Sequence, residues 1–513
     1  MGRQSGPIHP EDQRGSMKNS FWLALQFFVS IIISFVTLKL NLLNFGGNSF
    51  GYWLSIAAVW NAALVIDAGF SASTIVLIAE AQKKGATDEV KRICSTSLCF
   101  YCSAGLVLFC AVTAAVHLLF AQRADDIALS HSSFIAVNVL LGFSFLFQYL
   151  HSCIRCFFEG IQNFLLASKI AMAYNVILLA LILAVSVRHG SLVELSFAYA
   201  AASFMLFCCA LFLFQRHYQG IRLSRQYVSF SAAGKIIRIG GSYQLSSLFG
   251  VFIDPVIKYV IGTYQSLSYV STFEIARRFT QAISGLFFAS FRTILPRASQ
   301  YDDARGFHDF LSSDIQKVVD FSHIYSGLFF GVSAALLWPL FHFWFSSDAA
   351  FTMYLIIALP EIINILSYPF YISLIGKKLA HIVMVAQLIN LAGISLSIIL
   401  GYRLLHSNLV LLSYFAIVML SNGLIFLYYK YKLNFNILAV IRRTIVFKMA
   451  CLAAILLAGV FLTHHGYSFY AAALVSAAAC IVFLPAAYGF CRANAAEVSL
   501  RFFGLTRHVN HGE

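Results

Sequence analysis

The sequence predicts an all-α, polytopic membrane protein of about fourteen transmembrane helices, with two six-helix lobes around a central cavity and a terminal helix pair. Three observations predict it. The 513 residues are 60% hydrophobic and only 11% charged, with mean hydropathy +0.80, whereas a soluble chain carries about 25% charged residues. Apolar runs of about 20 residues, the length that crosses a bilayer as a helix, recur along the whole chain. Lysine and arginine gather in alternate connections between those runs, as topology in a membrane requires.

The runs cover residues 20–43, 50–79, 93–120, 132–156, 168–187, 194–214, 239–262, 269–294, 319–343, 351–374, 381–402, 409–429, 446–463 and 470–490. Glu159, Gln162 and Asn163 place a turn between the fourth and fifth. No stretch of about fifty residues lacks such a run, so a sizeable extramembrane domain is excluded. The polar lead 1–19 has no short apolar region followed by a small-residue cleavage site, so it is expected to be retained.

With the N-terminus cytoplasmic, 28 of the 35 Lys and Arg lie on the cytoplasmic side, and only Arg123, Arg188 and Arg403 lie in the opposite loops. This predicts both termini inside the cell and an even number of spans. The net charge of +14 is therefore topogenic, with attraction to anionic lipid, and nucleic acid is not an expected partner. The longest basic connection, 215–238, separates a first lobe (20–214) from a second (239–429). A basic loop with helices 13 and 14 (430–490) and a cytoplasmic tail (491–513) follow. Lys39 and Lys258 occupy matching places near the outer ends of the first helix of each lobe. Gly46 and Tyr52 follow in one lobe, Gly262 and Tyr269 in the other. Such an echo suits a transporter built from two parallel repeats.

The charges at bilayer depth carry the functional reading. Asp254 and Lys258 lie in the seventh span, Glu274, Arg277 and Arg278 in the eighth, and Glu361 in the tenth. Each costs several kcal/mol in hydrocarbon, so such residues mark functional sites. At 1.5 Å of rise per residue, Asp254, the arginine pair and Glu361 fall ~12, ~13 and ~15 Å below the outer surface. The spacings Asp254–Lys258 and Glu274–Arg278 put each pair on one helix face. Two readings follow: internal ion pairs that lock helices together, or charges lining a wet cavity that binds an anion or couples an ion. An arginine fork suits phosphate oxygens, and the carboxylates are candidate proton or sodium sites. Pro360 and Pro369 are expected to bend or break the tenth helix. Asp67 in LVIDAGFSAS either caps a broken helix end at Gly69 or serves as an inner gate.

Other features weigh less. Cys99–Cys102 and Cys153–Cys156 have redox-like spacing but poor disulfide geometry on a helix, so they are expected to be buried packing residues. Gly327 and Gly331 suit close helix packing. No phosphate-binding loop and no histidine pair with metal spacing on one helix face is present, so no cofactor is expected.

Three stretches resemble the O-antigen and polysaccharide flippases. They are GGNSFGYWLSIAAVWNAALVIDAGFSASTIVLIAEA, FFEGIQNFLLASKIAMAYNVI and DPVIKYVIGTYQSLSYVSTFEIARRFTQAISGLFFASFRTILPRAS. The resemblance covers most of the first ten spans. It implies the multidrug/oligosaccharidyl-lipid/polysaccharide exporter superfamily, with a V-shaped cavity between lobes and alternating access. It implies movement of undecaprenyl-diphosphate-linked sugar units across the bacterial inner membrane, with proton or sodium coupling. The implied partners are the lipid-linked oligosaccharide, membrane lipids and polysaccharide assembly proteins. Asp67, Glu274, Arg277 and Arg278 fall within the matching stretches, while Lys39, Lys258, Asp254 and Glu361 come from the charge reading. A cation-coupled multidrug exporter of the same superfamily is the alternative, disfavoured by the arginine pair and two extra spans. A membrane glycosyltransferase or polymerase would need a large outer loop with catalytic residues, and no outer loop exceeds about a dozen residues.

Overall fold

The structure, a computed structural model, describes residues 10–435 apart from 66, 162, 219, 222, 292–293, 295–303, 316–317, 320–339, 346, 378 and 406–411. Among the described residues all regular structure is helical. Among these residues seven helices are long and apolar enough to cross a membrane: 25–64, 87–124, 131–160, 165–187, 192–217, 348–375 and 381–401. The expected spans 446–463 and 470–490, most of 319–343, and Gly327 and Gly331 lie outside the described residues. The chain divides into two compact units, Met1–Ser271 and Thr272–Glu513.

In the first unit α1 (Pro10–Val65) runs through the NFGGNSF stretch that hydropathy reads as a loop. It is two helices joined at a kink, where Gly46 takes φ 71° and ψ 171°. Glycine reaches that conformation without the Cβ clash any other residue would meet. The chain breaks again between Val65 and Ala68, where α2 (Ala68–Lys83) begins. The expected second span is thus two helical pieces with Asp67 at the break. α3 (Thr87–Phe120), α4 (His131–Gly160), α5 (Phe164–Val187) and α6 (Leu192–His217) follow.

Side-chain caps start three of these helices. Ser130 Oγ accepts from the Ser133 amide at 3.3 Å, Asn163 Oδ1 from Leu166 at 3.2 Å, and Ser191 Oγ from Glu194 at 3.3 Å. Asn163 accordingly fixes the α4–α5 turn. α4 packs along α6, α1 against α5, and α3 against α4. Cys153 and Cys156 are buried in this packing, but Cys99 and Cys102 are exposed and all four are free thiols. The burial expected of the first pair therefore fails: their face of α3 points outward.

α7 (Phe230–Tyr264) starts nine residues before its hydropathic run and packs on α2, α1 and α3. The connection ahead of it is held to α3. The Ser224 amide donates to Ser95 Oγ at 3.2 Å and the Ser229 amide to Thr96 Oγ1 at 3.0 Å. At the C-terminal end of α7, Arg123 lies over the Tyr259 ring, 4.6 Å from its centroid, and donates to Thr263. The first turn of α8 (Leu267–Phe291) packs on α1: Ser271 Oγ donates to the Gly47 carbonyl at 2.7 Å, and a Cβ on Gly51 would overlap the Leu267 carbonyl oxygen. Small residues let the two backbones meet.

In the second unit α9 (Ala304–Phe310) is short. α10 (Asp348–Gly376), α11 (Ala380–Leu405) and α12 (Leu412–Lys432) pack together. Pro360 and Pro369 lie inside α10, which stays one helix from Asp348 to Gly376, so the expected break is absent. Beside Pro369 the Tyr429 hydroxyl of α12 donates to the Phe370 carbonyl at 2.9 Å, and it lies 2.6 Å from Ser373 Oγ. A polar side chain of a neighbouring helix thus meets the α10 backbone one residue past Pro369.

Candidate functional site

The charged residues read from the sequence fall into three groups. On α7, Lys258 Nζ lies 2.9 Å from Asp254 Oδ2, with the lysine side chain 6% and the aspartate 20% exposed. The four-residue spacing puts both on one face, and Pro255 sits between them inside the helix. On α8, Arg278 Nε donates to Glu274 Oε1 at 2.7 Å, with side chains 21% and 11% exposed. The neighbouring Arg277 points elsewhere. It donates to the Gln281 amide oxygen from Nη2 at 3.2 Å and Nε at 3.3 Å, in the amide orientation that satisfies both groups.

Glu361 of α10 is buried, accepts from Asn364, and feels the charge of Arg277. Adjacent arginines on one helix therefore have different surroundings. Arg278 is held by an acid of its own helix, whereas Arg277 lies in the field of an acid on another. Lys39 is half-buried on α1 and makes no ion pair among the described residues.

Asp67 anchors a group that sequence reasoning found only in part. Its side chain does not cap α2. The Tyr101 hydroxyl of α3 donates to Oδ1 and the Ser152 hydroxyl of α4 to Oδ2. Asp67 is 6% exposed, so these donors replace the water a carboxylate loses on burial. One turn below Ser152, Arg155 Nε lies 3.4 Å from Glu159 Oε1, and both charges act on Asp67. Tyr149, its ring 4.9 Å from that of Tyr101, has a buried hydroxyl with no hydrogen-bond partner among the described residues. Asp67 thus ties the break between α1 and α2 to both α3 and α4. The helix-cap role weighed for it is not what its side chain performs. No spacing signal could have found Tyr101 and Ser152, which stand 34 and 85 residues away.

Solved structures share this architecture. The lipid II flippase MurJ in its inward closed conformation is similar over 91% of this chain and 98% of its own, at 13% identity and TM-score 0.64. An inward-facing multidrug resistance MATE family transporter of the MOP superfamily matches 81% of this chain and 95% of its own, at 12% identity and TM-score 0.60. A MOP superfamily transporter from Pyrococcus furiosus matches 82% and 96%, at 12% identity and TM-score 0.60. The fold is that of MOP superfamily membrane transporters. Residues 16–302, more than half of the chain, match the family described as polysaccharide biosynthesis protein. The chain belongs to that family. No curated protein matches it significantly in sequence.

Proposed function

We propose that this protein is a flippase that moves undecaprenyl-diphosphate-linked oligosaccharide units across the bacterial inner membrane by alternating access, for surface polysaccharide and O-antigen assembly. Both termini lie in the cytoplasm in this reading. Family membership over residues 16–302 is the observation that carries it. The fold alone serves multidrug transporters and a lipid II flippase equally, so it is the family that favours a lipid-linked sugar over a drug.

A diphosphate with attached sugars cannot cross hydrocarbon unaided, because its charges and hydroxyls lose water. Arg277 and Arg278 are assigned to the diphosphate, with Lys258 and Lys39 as further cations. A guanidinium meets phosphate oxygens as a two-pronged donor. Glu274, Glu361 and Asp254 neutralise these cations in the empty state, and Arg278 exchanges Glu274 for phosphate on binding. Asp67 acts as the inner gate, where helices α1 to α4 meet. An inside-negative potential favours outward movement of an uncompensated anion by ~2.3 kcal/mol per charge per 100 mV. In cells lacking the native gene, Arg277→Ala and Arg278→Ala are expected to abolish surface polysaccharide while the protein accumulates in the membrane. Wild-type polymer from both variants would sink the headgroup role.

A further inference from the structure

We infer that a cavity inside the first unit, separate from the charged residues, is a binding site for a neutral sugar ring. It rests on the proposed lipid-linked oligosaccharide substrate and assigns the sugar its own place. The cavity measures about 450 Å³ including its open mouth and lies between the second half of α1, α4, α5 and α6. Asp, Glu, Lys and Arg are absent from its lining. A diphosphate or an organic cation would find no countercharge there, and an ion without one stays in water.

The walls are aromatic planes held rigidly. The Trp53 indole N–H donates to Ser196 Oγ at 2.9 Å and the Trp60 indole N–H to Asn138 Oδ1 at 3.2 Å. Each ring is thereby fixed by its polar edge. Trp53 also packs on Tyr199, centroids 5.0 Å apart, and Trp60 on Phe145 at 5.4 Å. Rigid aromatic surface of this kind binds with little loss of side-chain freedom.

Two amides supply polarity. Gln148 spends Nε2 on Ser144 Oγ at 3.0 Å and Ser203 Oγ at 3.1 Å, and its Oε1 has no partner among the described residues. Asn61 is exposed at the lining and has no hydrogen-bond partner among the described residues. An amide both donates and accepts. A pyranose matches this set: its C–H face lies on an aromatic plane and its hydroxyls both donate and accept. A purely apolar molecule would offer no donor to the Gln148 Oε1 and nothing to the Asn61 amide.

The chain has five tryptophans, so Trp22→Phe, Trp338→Phe and Trp344→Phe together leave Trp53 and Trp60 as the only indole reporters. Detergent-purified protein carrying these changes is titrated with glucose, galactose, N-acetylglucosamine and inorganic pyrophosphate while indole fluorescence is read. At least one sugar is expected to give a saturable change and pyrophosphate none through this cavity. Gln148→Leu or Asn61→Leu is expected to weaken the sugar response at least about tenfold. The two lie on different helices, so either variant that keeps the parent's thermal unfolding is sufficient. Absence of a saturable response to every sugar, or an undiminished response in the folded variants, overturns the inference. The measurement involves no transport. Sugar binding together with normal export by the Arg277 and Arg278 variants would therefore overturn the headgroup assignment alone.

Discussion

Replacing Gly51 by alanine adds one methyl group where none fits. Its Cβ would overlap the backbone carbonyl oxygen of Leu267, and the Ser271 hydroxyl, 3.1 Å from the same point, closes the other side. Overpacking costs about 1–3 kcal/mol. The obstacle is backbone rather than the end of a flexible side chain, so the upper half of that range applies. Alanine returns about 0.5–1 kcal/mol as the better helix former, leaving a net loss of about 1–2.5 kcal/mol. Gly46→Ala should lose a similar amount for a different reason. Nothing lies within 4 Å of its Cβ position, but φ 71° with ψ 171° is a region almost confined to glycine, and a side chain there costs about 1–3 kcal/mol. Gly423 in α12 is the control, with open space and ordinary helical backbone. Gly423→Ala should be neutral or stabilising. Thermal unfolding in detergent is therefore expected to rank Gly423→Ala at or above the parent and both other variants below it. If Gly51→Ala unfolds with Gly423→Ala, the close approach of α1 to the first turn of α8 is not a real constraint.

Further outcomes follow from the ion pairs and the buried carboxylate. Tyr101→Phe and Ser152→Ala each leave one Asp67 oxygen without its hydroxyl donor, for a loss of about 1–3 kcal/mol. The double variant should depart from additivity because both act on one carboxylate; additive losses in unfolding experiments would refute the shared site. Glu274→Ala should cost about 2–4 kcal/mol, below the roughly 3–5 kcal/mol of a fully buried pair, because the two side chains keep 11% and 21% exposure. Lys91→Ala, which breaks a pair with an aspartate 79% exposed, should leave the unfolding midpoint unchanged. Equal effects of the two substitutions would mean that Glu274 is as well solvated as the surface pair.

Much of the architecture was legible because membrane helices must hide their backbone in apolar runs. The runs from 93 to 214 coincide with α3 to α6, and Asn163 marked the α4–α5 turn by the capping chemistry it performs. The break between the first two runs was legible too. Asn44, Gly46, Gly47 and Asn48 interrupt the apolar pattern, and two helices meet there at the Gly46 kink, while Gly47 serves close packing. Pro360 and Pro369 signalled a bend or a break in the tenth helix; the helix is unbroken, and the Tyr429 hydroxyl that meets it beside Pro369 comes from a separate helix that sequence spacing does not reveal. The pairs Asp254–Lys258 and Glu274–Arg278 were legible because they are local to one helix. Tyr101 and Ser152 around Asp67, and the amides and indoles of the cavity, were not, because they converge from separate helices.

The docking of α7 has a consequence for how the protein is made. A ribosome releases the first six helices before α7 exists, so the surface of α2 that α7 covers must face lipid or an insertion factor until then. The serine contacts at residues 224 and 229 are the first part of that later segment to emerge, and they already reach back to α3. Contacts so placed, like a basting stitch, are the first available to hold the incoming helix beside its seat. A gene split in the hydrophilic connection would divide the sequence at its apparent midpoint yet strip the first fragment of a helix that belongs to its own compact unit.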